Sequence, residues 1–185
     1  EGVTLPPGAA LTLFDEPLCH DDNLLDGRVP MPDGHAEVVA TALEQCRLRF
    51  AQVYGGQRSI VLHADLHGGN LKWHRGRLAV FDLDDAGFGV PALDLAISTF
   101  YLRAGDPGVE EALRQGYAEV RDLPDVSDEQ FEALVAARQL LLANSLLSSS
   151  AASLRAEATD YLDLTVQRLR WWLATGRFSR SPALG

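Results

Sequence analysis

The sequence predicts an α+β protein that is mostly α-helical, and three observations carry that prediction. Apolar residues recur at helical spacing through five stretches, two short strand-like runs flank an Arg-Gly turn, and the segments bordering those runs are polar and glycine-bearing. The length of 185 residues is about one domain. Apolar residues at 46% and charged residues at 23% are typical of a chain that buries a core.

Residues 1–33 are rich in Pro, Gly, Asp and Asn without a sustained period, and are read as linker or loop. Asp33 is placed as a helix cap for 34–54, where Val39, Leu43, Cys46, Phe50 and Val53 form one apolar face and Tyr54-Gly55-Gly56 marks the stop. Ser59–Leu62 is a short strand-like run that leads into the polar segment His63–Asn70. Leu71–His74 and Arg77–Phe81 around Arg75-Gly76 read as strand, tight turn, strand. A second acidic loop follows, from Asp82 to Gly89. Helices are expected over 91–104, 108–121, 127–147 and 151–175, the first opened by Pro91 and the last closed by Gly176. The leucines of the 127–147 segment (Leu140, Leu141, Leu142, Leu146, Leu147) place its second half at the centre, and 177–185 is read as a loose tail.

Sixteen basic against 26 acidic residues give a formal net charge of −10, which argues against nucleic acid or an anionic membrane surface as partner. Cys19 and Cys46 lack the spacing of a zinc site or a disulfide framework and read as reduced thiols. There is no basic-then-apolar signal segment, and no apolar run reaches the ~18 residues of a membrane helix, so a cytoplasmic location is expected.

A hairpin brings its two outer ends together, so the His63–Asn70 and Asp82–Asp85 loops should converge. Together they offer Asp65, Asn70, Asp82, Asp84 and Asp85, with His63 and His67 nearby. Carboxylates crowded in this way repel unless a cation intervenes, and oxygen ligands without cysteine suit a hard ion such as Mg²⁺. A base, an amide and a carboxylate around such an ion fit phosphoryl transfer, whose catalysis is mostly positioning and charge neutralisation. The spacing His63-x-Asp65-x-x-x-x-Asn70, with Asp82 beyond a strand pair, matches a kinase catalytic loop followed by its metal-binding Asp.

More closely, HADLHGGN at 63–70 and LAVFDLDDAGFGVPALDLA at 78–96 resemble the aminoglycoside phosphotransferase-like family, whose usual loop reads HGDLHPGN. The resemblance covers about residues 60–103. It implies the C-terminal catalytic lobe of a protein-kinase-like fold, with a small hairpin carrying the active-site loops on residues 34–176, and an ATP- and Mg²⁺-dependent kinase acting on a small-molecule hydroxyl. Asp65 would be the catalytic base, and Asn70 and Asp82 would hold Mg²⁺ on the ATP phosphates. His63 and Asp94 would brace the loop. Asp84 stays open between a further metal ligand and a neighbour that only repels the first, and His67 between loop bracing and substrate contact. Ala64 stands where the family usually has Gly, and Gly68 where it has Pro.

The resemblance also implies a strand-rich N-terminal lobe with a phosphate-contacting lysine. The single lysine, Lys72, lies just after Asn70, and no Gly-rich phosphate loop precedes Asp65. The chain opens on Glu1-Gly2 with Met31 as its methionine, and it is read as one lobe of a longer polypeptide whose N-terminal lobe binds the nucleotide. The helices after 104 are expected to form the acceptor pocket, and their acids (Glu110, Glu111, Glu119, Asp122, Asp125, Asp128, Glu129) point weakly to a cationic acceptor such as an aminoglycoside, choline or an amino alcohol. Homoserine-type kinases and bacterial Ser/Thr protein kinases share the pattern. Two rivals remain: a metal-dependent phosphohydrolase, since Val80-Phe81-Asp82-Leu83-Asp84 imitates an apolar-strand DxD start, and a non-catalytic kinase-like binding module.

Overall fold

The computed structural model describes residues 11–182, with residues 152–156 described as backbone alone. Pro6-Pro7-Gly8 and residues 183–185 lie outside the described residues. Helix α1 (His35–Gly56) buries the expected stripe of Val39, Leu43, Cys46, Phe50 and Val53, together with Ala42. Its N-cap is Gly34 at φ 77°, with no side-chain cap, so Asp33 does not take that role; a left-handed turn enters this helix more readily through glycine. The helix runs on through Gly55 and Gly56, both exposed, two residues beyond Tyr54.

Strand β2 (Ile60–Leu62) and the hairpin of β3 (Leu71–His74) and β4 (Arg77–Val80) follow the sequence reading. Arg75 and Gly76 both adopt positive φ, 50° and 74°, as a two-residue hairpin turn requires. Two further strands were not expected. β5 (Gly87–Gly89) lies inside the second loop segment, and β1 (Thr12–Leu13) lies inside the supposed linker. They form a sheet in the order β1-β5-β2, parallel between β1 and β5 and antiparallel between β2 and β5. Both strands are too short to show a period. A Cβ on Gly87 would lie 2.5 Å from the Thr12 carbonyl oxygen, and one on Gly89 2.7 Å from Leu62, so the glycines are there for close approach.

Helices α2 (Pro91–Leu102), α3 (Pro107–Ala118), α4 (Asp128–Ser148) and α5 (Ala152–Thr175) complete the chain. Asp106 caps α3 through the Gly108 N–H at 2.8 Å. Ser127 and Gln130 form a reciprocal capping box on α4, at 2.9 and 3.2 Å. Gly176 at φ 75° ends α5. Helix α4 is central, packed against α1, α2 and α5. Its deepest part is Phe131–Leu140 rather than the leucine-rich second half, where Leu141, Leu142, Leu146 and Leu147 are half-buried. Among the described residues no helix is long and apolar enough to cross a membrane.

Both ends of the described residues are tied to this body. Leu18 and Leu25 belong to the core, and the buried Asn144 accepts from Leu24 N–H and donates to the Asp22 carbonyl, at 2.9 and 3.0 Å. The segment 11–33 therefore packs as part of the fold rather than as a linker. At the other end Phe178 is buried and anchors residues expected as a loose tail. Its N–H and C=O bond to Glu132 and Arg103 at 2.7 and 2.9 Å. Arg103 also grips Glu110 and Glu132 through bonds of 2.6 to 2.9 Å, all three side chains being at most 14% exposed. Glu110 is thus a structural partner of Arg103 and not a free acid of an acceptor pocket.

Candidate active site

The loop after β2 turns sharply because Ala64 sits at φ 62°, in the left-handed region. That conformation costs an L-residue about 1 kcal/mol or more, and it accounts for the family's glycine at this position. Asp94, in the first turn of α2, offsets the cost by accepting from the N–H groups of Ala64 and His63 at 2.9 and 3.3 Å. Asp94→Ala removes both bonds to a charged acceptor and leaves the Ala64 N–H buried and unpaired, so a loss of about 2 kcal/mol or more is expected in urea unfolding.

The same turn aims Asp65 inward. Its Oδ1 accepts from the Tyr101 hydroxyl at 3.1 Å and from Arg138 Nη2, and Arg138 Nη2 also donates to the Tyr101 oxygen at 2.8 Å. Burial is the main cause that pushes the Tyr101 phenol up from its ordinary pKa, so it remains a donor at neutral pH. Oδ2 faces Asn70 Nδ2 at 3.3 Å and His67 Nε2 at 3.4 Å, both long contacts. Asn70 Nδ2 also donates to the Asp65 carbonyl at 2.9 Å. The amide nitrogen is thereby committed, and no described residue donates to Asn70 Oδ1.

His67 caps the short turn Gly68–Asn70, its Nδ1 accepting from the Gly69 N–H at 2.9 Å. Its ring packs on Tyr101 at a centroid distance of 4.7 Å. With Nδ1 so used, a neutral ring carries its proton on Nε2, toward Asp65. His63 joins the two loops: its Nε2 lies 3.1 Å from the Phe81 carbonyl, and its Nδ1 accepts from Asp65 N–H at 3.4 Å. The Phe81 N–H donates to the Asn70 carbonyl at 3.2 Å, so the residue before Asp82 is bonded to the residue that ends the first loop.

Asp82 leaves β4 at φ 64°, a region that Asp tolerates better than most residues, and its carboxylate is exposed with no described partner. The convergence of both loops follows the sequence reading, but the carboxylates do not pool in one volume. Among the described residues no three His, Cys, Asp or Glu side chains are grouped so as to hold a metal by themselves. Asp84 and Asp85 instead line a cavity of about 310 Å³ shared with Asp21, Cys19, Ser145 and Arg138. Burial pushes the Cys19 thiol up to about 12, which leaves it a poor nucleophile there.

The oxygens that remain free fit Mg²⁺, which takes one or two protein oxygens and completes its shell with phosphate and water. Asn70 Oδ1 and the Asp82 carboxylate are both without a partner among the described residues, and a backbone bond ties Asn70 to Phe81, the residue before Asp82. Tyr101 and Arg138 were not singled out in the sequence. Tyr101 reads as one member of an apolar helix face. Arg138 carries the better signal, a charge inside the otherwise core-like run Phe131–Leu140.

Comparisons with known proteins place the fold among known ones. The fold is similar to that of an amicoumacin kinase, hAmiN, solved with AMP-PNP, Ca2+ and Ami, with a TM-score of 0.63 and 18% identity over 90% of this chain and 53% of that one. It is similar to a microcompartment-associated aminopropanol kinase, with a TM-score of 0.61 and 23% identity over 80% and 48% of the two chains. A thermostable mutant of the aminoglycoside phosphotransferase APH(4)-Ia matches with a TM-score of 0.52 and 23% identity over 84% and 53%. The chain spans about half the length of each of these proteins. No curated protein sequence matches it. The sequence model described as the phosphotransferase enzyme family matches residues 9–130, which include β1, both loops, the hairpin and the Asp94 anchor. With most of the chain matched and the motif residues in one folded site, the chain belongs to the phosphotransferase enzyme family.

Proposed function

We propose that this chain is the C-terminal, catalytic lobe of an ATP- and Mg²⁺-dependent phosphotransferase that acts on a hydroxyl of a small molecule. The observation that carries the reading is the arrangement around Asp65. One carboxylate oxygen is anchored by two donors and the other is within reach of Asn70, whose own carbonyl oxygen is free beside the Asp82 loop. Asp65 Oδ2 accepts the proton of the acceptor hydroxyl as that oxygen forms its bond to the γ-phosphorus, and the bond from phosphorus to the ADP oxygen breaks with ADP keeping the electron pair. Asn70 Oδ1 and Asp82 would hold Mg²⁺, which supplies charge neutralisation on the phosphates when bound. His63 and Asp94 keep the loop in its left-handed turn.

The face of the hairpin that carries Trp73, Leu78 and Val80 is exposed, Trp73 by 73%. An apolar face of this kind supports a nucleotide-binding N-terminal lobe packed against it. An amino alcohol is the favoured acceptor class, because the named neighbours act on amine-bearing molecules and Asp21, Asp84 and Asp85 line the cavity beside Ala64.

The test is a screen of the full-length protein with MgATP against amino alcohols, aminoglycosides, choline and homoserine. ADP formed only when an acceptor is present, with the phosphate recovered on that acceptor, supports the reading. Phosphate released from phosphate monoesters without ATP contradicts it and favours a phosphohydrolase.

A further inference from the structure

Arg138 is an unusual residue for its position. It stands on α4 between Ala137 and Gln139, in the most deeply packed part of the molecule, and its side chain is 9% exposed. A buried guanidinium loses hydration worth several kcal/mol, by rough estimate, unless its partners restore it. Its partners here are Asp65 Oδ1 and the Tyr101 hydroxyl, and its Nε is buried with none. A helix selected for packing alone would carry an apolar side chain at this position.

The three groups form a closed triangle: Arg138 Nη2 donates to Oδ1 and to the Tyr101 oxygen, and the Tyr101 hydroxyl donates to the same Oδ1. The rings support it. The Arg138 guanidinium lies 5.6 Å from the Tyr101 ring centroid, and Tyr101 packs edge-on against Phe100. Rotation of the Asp65 carboxylate would break both bonds to Oδ1 at once. Oδ2 keeps two long contacts and has the remaining acceptor capacity.

We infer that Arg138, backed by Tyr101, is the positioning residue that locks the Asp65 carboxylate so that Oδ2 and not Oδ1 receives the acceptor proton. This rests on the phosphotransferase reading. Arg138 also lines the cavity that holds Asp84 and Asp85, and its effect on the transfer runs through Asp65.

The experiment is steady-state kinetics of the full-length protein carrying Arg138→Ala or Tyr101→Phe, with MgATP and the acceptor found in the screen. In Arg138→Ala, kcat falls by about 10–100-fold, as expected for a misplaced reacting group, while the KM values for ATP and acceptor change less than threefold by rough estimate. Added guanidinium ion restores part of that kcat, and ammonium at the same concentration does not, because only the planar ion fits the vacated fork. Tyr101→Phe keeps the ring and removes one donor; a several-fold loss of kcat with unchanged KM is expected. It carries the test if Arg138→Ala fails to fold. A lower melting temperature with wild-type kcat per folded molecule in both variants would reduce Arg138 to a structural ion pair and overturn the inference while leaving the proposed function intact. A wild-type protein that transfers phosphate to no acceptor overturns the function, and the inference with it.

Discussion

Asp65→Asn lowers kcat for phosphoryl transfer by about 10²–10⁴-fold, the usual worth of a positioned general base. The amide keeps the shape of the carboxylate and can still accept from Arg138 and Tyr101, so the loop should remain folded. Its terminal group cannot take up the acceptor proton. Arg138 meanwhile loses its counter-charge while staying buried, so stability falls as well, and kcat must be expressed per folded molecule. MgATP affinity should be unchanged, because Asp65 is not assigned a metal contact. Unchanged turnover in Asp65→Asn would remove this residue from the base role whatever its geometry.

The largest expected effect on stability lies away from the site. Arg103→Met removes the cation that two nearly buried glutamates share, and about 3–5 kcal/mol of stability is expected to go with it, since both lose their guanidinium partner while staying in place. Urea unfolding of the two proteins measures this. The pH dependence gives a second signature. Burial alone would push the Glu110 carboxyl up, but the bonds and charge of Arg103 outweigh it and hold the carboxyl below the usual glutamate range. A carboxyl depressed in the folded state stabilises the fold fully above its unfolded pKa, and that contribution is lost as pH falls through the folded value. The wild type should therefore lose stability on acidification below roughly pH 4. Arg103→Met should weaken this dependence on Glu110, because the charges of Arg177 and Arg114 are then left to oppose burial. An unchanged acid limb in the variant would mean that Arg103 does not set the Glu110 charge.

The parts of the fold that sequence made legible are those with a local physical signal. Arg75-Gly76 between alternating residues announces the hairpin, and both residues take the positive φ that such a turn needs. The stripe on α1 and the Gly176 stop are equally local. The missed strands β1 and β5 exist through long-range pairing. Gly87-Phe88-Gly89 looks like loop until Thr12 and Leu62 are brought beside it. In the tail, Phe178 gives no sign in sequence that Arg103 and Glu132 will hold its backbone.

The site divides in the same way. Asp65, Asn70 and Asp82 are close in sequence within one loop–hairpin–loop unit, and Asp94 opens the helix that follows it, so their neighbourhood is a local matter. Arg138 lies 73 residues from Asp65, and only the packing of α4 against α2 brings it there. The four-carboxylate cluster drawn from spacing did not form. Asp82 takes a left-handed conformation, and Asp84 and Asp85 line the cavity that Ala64 and Arg138 also border.

The central claim is that one loop supplies the proton acceptor while Asn70 and Asp82 hold the metal on the nucleotide. Electron paramagnetic resonance of Mn²⁺, titrated into the full-length protein with ATP, tests it most directly. The account predicts that Asn70→Ala and Asp82→Ala each weaken Mn²⁺–ATP binding by about tenfold or more, the lower end for a lost metal-site interaction, and that Asp65→Asn leaves it as in the wild type. Equal binding in all four proteins, or a loss confined to Asp65→Asn, would contradict it.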